Sequence, residues 1–137
     1  MRNLSKSKII AFRQCPKRLW LELHRPELRD DSGSQIVFAI GNQVGDVARQ
    51  IYDTNGDGKL IDVNEIGWSA AYEESEKWLQ GTPAPLFEAA IRIDGALALA
   101  DVMLPEPGGD DLRWQMIEVK SSTGVKDYHR DDLAVQA

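Results

Sequence analysis

Around Asp94-Gly95 the apolar residues stop recurring every three or four positions and begin to alternate. Period two sends successive side chains to opposite faces of a strand, and Asp-Gly supplies the positive-φ positions a tight hairpin needs. Residues 87–93 and 97–104 are therefore expected as an antiparallel pair. A third strand over 114–120, after the Pro-Glu-Pro-Gly-Gly loop at 105–109, completes a meander of three. So small a sheet needs helices to cover it.

Those helices are readable upstream. Ile36, Val37, Ile40, Val44, Val47, Ala48 and Ile51 recur at spacings of three and four, which predicts an amphipathic helix over 34–53. Gly41 and Gly45 inside it point to close packing against a neighbour. Ser5 is expected to cap a helix carrying Ile9, Ile10 and Phe12. Pro16 then allows a restart through Leu19, Trp20, Leu21 and Leu23 that ends before Pro26. A short strand is expected at 60–63 and a helix over 68–79, stopped by Gly81. From Lys126 the chain begins another helix, expected to run past Ala137 and to be cut short there. The fold class is thus α+β: one domain over 1–137, helices packed on a three-stranded antiparallel meander, with the final core elements expected to be missing.

The composition, 42% apolar and 28% charged, is that of an ordinary soluble globular protein. No apolar run approaches the length of a membrane span, and the N-terminus lacks a secretory leader. With Cys15 as the single cysteine, the chain is expected to be cytoplasmic. Its net charge of −6 argues against an acidic partner until its distribution is considered. Residues 1–29 hold eight Lys/Arg against two Glu, leaving −12 to the remainder. This basic segment at 1–30, with Lys6, Lys8, Arg13, Lys17 and Arg18, suits a DNA phosphate backbone, although such a helix is as often a solvated face.

The acidic remainder holds the candidate chemistry. Residues two apart on a strand share a face, so Glu118 and Lys120 point together while Val119 enters the opposite layer. Asp101, one strand earlier, is brought beside Glu118 by the meander. Two carboxylates on adjacent strands suit a hard cation such as magnesium or manganese, with the Val119 carbonyl as a further oxygen ligand. Lys120 is then placed to orient or deprotonate a water, if neighbours lower its pKa, or to stabilise charge developing on phosphorus. Charged residues also decorate solvent faces of strands. Here, however, Asp101 lies inside the apolar run 96–104, and Glu118 follows Met116-Ile117. A carboxylate entering an apolar strand is costly unless it binds something.

Several motifs occur in a particular order: Leu4-Ser5-Lys6-Ser7-Lys8, Gln14-Cys15-Pro16-Lys17-Arg18-Leu19-Trp20, Phe87-Glu88, Asp101, Glu118-Val119-Lys120-Ser121-Ser122, and Tyr128-His129 with 132–136. Together they resemble the RecB-like nucleases of the PD-(D/E)xK superfamily, in the branch that includes CRISPR-associated exonucleases. The resemblance implies a restriction-endonuclease-like core and a metal-dependent deoxyribonuclease, in repair or defence, with DNA as partner. It implies Asp101 and Glu118 as ligands of Mg or Mn, Lys120 as catalytic lysine, and Gln136 as the glutamine of a helix motif. Glu88 takes a supporting acidic position, and an exposed strand carboxylate is its plainer reading. Where the branch carries a histidine ligand this sequence has Gly45, and the tyrosine expected after Gln136 falls beyond Ala137. Cys15 resembles the first of four iron-sulfur ligands in some relatives; a cluster would need three more cysteines from a longer chain. A nuclease-like binding or structural module without activity is the alternative. An unfinished sheet also leaves an edge on which two copies of the chain could pair.

Asp53-Thr54-Asn55-Gly56-Asp57-Gly58 looks like the front of a calcium loop across 53–65. Position nine is Ile61 and position twelve Asn64, so a plain Asn/Asp/Gly turn explains it as well.

Overall fold

The computed structural model describes residues 4–30, 32–106 and 112–137. It is an α+β domain in the chain order β1 (Leu4–Ser5), α1 (Lys6–Gln14), α2 (Pro16–His24), a 3-10 turn (Pro26–Leu28), α3 (Ser34–Tyr52), β2 (Lys59–Leu60), α4 (Val63–Ile66), α5 (Trp68–Gly81), β3 (Leu86–Ile93), β4 (Ala96–Glu106), β5 (Arg113–Ile117) and α6 (Asp127–Gln136).

The meander β3-β4-β5 is present and antiparallel throughout. Its first turn puts Asp94 at φ 49° and Gly95 at φ 82°, the left-handed pair expected of Asp-Gly. Two short strands enlarge it beyond the three expected. β1 pairs parallel with the start of β4, and β2 pairs parallel with β3, giving a five-stranded mixed sheet. The first helix starts where expected, with Ser5 at its N-cap position. Ser5 lies in the strand and makes no side-chain cap; its hydroxyl bonds to that of Ser7. β1 is too short to carry a pattern, and β2 overlaps the strand expected at 60–63 but ends at Leu60, with Val63 opening α4 instead. The third strand is shorter than expected and stops at Ile117, and 118–120 continue outside the ladder. Pro105 and Glu106 belong to β4, and the rest of the expected loop, 107–109, lies outside the described residues.

Two apolar layers hold the sheet. Ile61, Ala71, Leu86, Ala89, Ala90, Ala100 and Met103 pack with Tyr72, Trp78 and Leu79, joining α5 to one face. Ser75, 1% exposed on α5, accepts the Ala90 amide at 2.9 Å, so the helix also satisfies a strand donor. Ala48, Phe87 and Val102 pack with Tyr52, Ile117 and Val119, joining α3 to the sheet. The turn after α3 is tied by Asp53, whose Oδ1 accepts the Gly58 amide at 2.9 Å. A Cβ at Gly58 would stand 2.8 Å from the Phe87 ring. The Asn/Asp/Gly composition is thus explained by a tight approach to the core, and one carboxylate oxygen of the calcium-like loop is already used by backbone.

Candidate functional site

The site is built by strand register. Val102 pairs with Ile117 and Phe87 with Val102, so one step further along places Glu88, Asp101 and Glu118 in a row across β3, β4 and the end of β5. The row marks the point at which regular pairing fails. Glu88 takes φ 57°, an uncommon and strained conformation for a non-glycine residue in mid-strand, and Glu118 has left the ladder. All three carboxylates are partly buried. Glu88 is therefore not the exposed strand carboxylate of its plainer reading.

Burial and mutual repulsion shape their ionisation. Burial pushes Glu88 up to about 7, with the Asp101 charge adding to it. Burial also raises Asp101, helped by Glu118 and opposed by the Val119 amide, which donates to Asp101 Oδ2 at 2.6 Å. Glu118 is lowered instead: burial acts against the charge, but lysine hydrogen bonds outweigh it. Lys120 Nζ lies 2.6 Å and Lys6 Nζ 3.0 Å from its Oε1, and Gln136 donates to its Oε2 at 2.8 Å.

Lys120 also contacts Asp132 at 2.6 Å. Burial disfavours its charge, but Asp132 and Glu118 prevail and push it up to about 12. The neighbours thus do the opposite of what a lysine base requires, and Lys120 stands as an ammonium. Glu118 and Lys120 do reach the same side, as their spacing implied, while Val119 packs into the α3 layer.

Lys6 is the other departure. Placed by its charge among the phosphate contacts, it instead turns inward from the first residue of α1, its side chain 20% exposed, and joins the site. Of the other basic candidates, Arg13 pairs with Asp131 at 3.2 Å and Arg18 with Glu22 at 2.8 Å. Lys17 and Arg18 line an open groove of about 1000 Å³ between α2 and α3, which Cys15 also borders. Cys15 is exposed and is the chain's single cysteine, so this chain alone cannot hold a cluster. Lys8 is partly buried on α1. A smaller cleft of about 280 Å³ lies beneath α3, lined by Asp101, Val119, Lys120, Gly41 and Gly45. The two glycines leave the helix surface bare where the cleft opens; a Cβ on Gly41 would meet nothing within 4 Å.

Asp132, Lys6 and the buried His129 carry no signal in a D…ExK pattern. His129 Nδ1 accepts the Lys126 amide at 3.1 Å, and so fixes the start of α6, the helix that supplies Gln136 and Asp132. The Gln136 side-chain oxygen is buried and has no hydrogen-bond partner among the described residues.

Asp101 and Glu118 offer the hard oxygens a divalent cation accepts. Among the described residues no group of three or more His, Cys, Asp or Glu side chains converges to hold a metal, so any cation here rests on fewer side chains and on water. No helix among the described residues is long and apolar enough to cross a membrane. No protein-family model, curated protein or solved structure matches the chain.

Proposed function

We propose that this chain is a metal-dependent DNA nuclease domain of the RecB-like, PD-(D/E)xK kind, with a restriction-endonuclease-like core. The observation that carries the reading is the row Glu88-Asp101-Glu118, three carboxylates packed into a sheet with Lys120 beside them. Partly buried carboxylates held in one row cost stability, and a bound cation would offset that cost.

Asp101 and Glu118, with the Val119 carbonyl, would hold Mg or Mn, and Glu88 supports them from the neighbouring strand. When bound, the cation would supply Lewis acidity for hydrolysis of a phosphodiester. Two side-chain ligands suffice for a magnesium ion that keeps most of its waters. Lys120, protonated at neutral pH, donates to a phosphate oxygen as charge grows on it, and Asp132 keeps its ammonium in place. Gln136 orients Glu118 through their hydrogen bond. Lys17 and Arg18, on the groove bordering α3, supply phosphate contacts that position a DNA strand without reading its sequence.

Two observations favour the inactive module. Both Lys6 and Lys120 already occupy Glu118 Oε1, and Gly45 offers no ligand from α3. The two readings separate in a cleavage assay on labelled DNA with Mg or Mn. The nuclease reading predicts cutting that chelator stops and that Glu118→Gln and Lys120→Met each abolish. No cutting at all would leave the module, whereas metal-independent cutting, or cutting that survives both substitutions, would overturn both readings of this site.

A further inference from the structure

The packing of α3 leaves a second face unexplained. Its inner side, with Gly41, Gly45 and Ala48, meets the cleft and the sheet. On the other side Ile36, Ile40, Val47 and Ile51 stand 70%, 43%, 52% and 59% exposed. At about 100° per residue these four fall within a stripe roughly 60° wide. Gln43, also exposed, lies halfway along the stripe and flanks its edge. The charges of the helix stay off the stripe, since Asp46 pairs with Arg49 one turn on.

We propose that this stripe is a self-association face on which two copies of the chain pair through antiparallel α3 helices. The spacing is its own complement. About a midpoint between Gln43 and Val44, Ile36 exchanges with Ile51 and Ile40 with Val47. A two-fold axis demands that reciprocity: if one residue touches another across the interface, the second must touch the first. A second copy therefore covers each isoleucine with an apolar partner and sets the two Gln43 amides, donor and acceptor alike, beside the axis. The stripe bares on the order of 500 Å² of apolar surface, at the upper end of what monomers carry. Two copies close on the order of 1,000 Å² in total, the size of a weak, reversible interface. Association leaves the cleft on the inner face open, and the inference does not depend on the nuclease reading.

Sedimentation of the whole chain across a wide concentration range tests it. Wild type passes from monomer to dimer. Ile40→Lys and Val47→Glu, each placing an unpaired charge against an apolar partner, weaken association by about a hundredfold. The double substitution restores it, because the introduced ammonium of one copy then faces the introduced carboxylate of the other. Circular dichroism identifies any variant that fails to fold. Independently, Gln43→Cys in a Cys15→Ala background forms a disulfide between copies near the axis, and Gln35→Cys does not. A wild type monomeric at every concentration, a dimer indifferent to Ile40→Lys, or a double variant no better than the singles overturns the proposal.

Discussion

Replacing Glu88 with glutamine is expected to stabilise the metal-free protein at alkaline pH. Burial first, and then the Asp101 charge, raise this carboxyl from 4.5 to about 7 in the folded chain. The native state therefore binds the proton more tightly than the unfolded state does. That contribution is whole below pH 4.5 and is lost as pH rises through about 7. At roughly 1.4 kcal/mol per pH unit, the interval sets a ceiling of about 3 kcal/mol; residual solvent contact brings the expected loss to about 1–2 kcal/mol. The amide of Glu88→Gln keeps the shape and the strained φ but cannot ionise, so the difference isolates the charge. Urea unfolding with chelator present, at pH 5 and pH 8, reads it. The wild type should lose about 1–2 kcal/mol more than Glu88→Gln across that range. Parallel behaviour of the two proteins would refute the electrostatic account of the row.

Three further outcomes are expected. Ser75→Ala strands the buried Ala90 amide without its acceptor and should lower stability by about 1–3 kcal/mol in thermal unfolding, with the near-neutral effect of a surface Ser excluded. Gly58→Ala forces a methyl against Phe87 and should destabilise by about 1–3 kcal/mol, while calcium should leave the melting temperature of the wild type unchanged. Gln136→Ala frees Glu118 Oε2 and should slow cleavage about tenfold, whereas an unchanged rate would remove Gln136 from the site.

The parts of the fold that a sequence reading recovers are those with a long enough period. The 19-residue α3, the Asp94-Gly95 hairpin and the β3-β4-β5 order all declare themselves through spacing and turn chemistry. Strand β1 does not, because two residues have no period, and the strand expected at 60–63 forms only as Lys59–Leu60, its pairing with β3 decided by distant chain. The same limit hides half of the site. Asp101, Glu118 and Lys120 follow from a pattern, but Lys6 reaches Glu118 across 112 residues and Asp132 meets Lys120 from α6. Those contacts raise the Lys120 pKa, against the condition a base role set, a tertiary effect to which strand alternation is blind. Glu88 sits on the strand its neighbours predict, but nothing in Phe87-Glu88-Ala89 announces its positive φ.

The claim on which the functional account rests is that Asp101 and Glu118 share a divalent cation. Calorimetric titration of the chelator-treated chain with Mn at neutral pH measures it directly. The account predicts a saturable binding heat that Asp101→Asn removes, since the amide still accepts the Val119 N–H and leaves the strand ends in place. No heat from the wild type, or an isotherm that Asp101→Asn leaves unchanged, would contradict it.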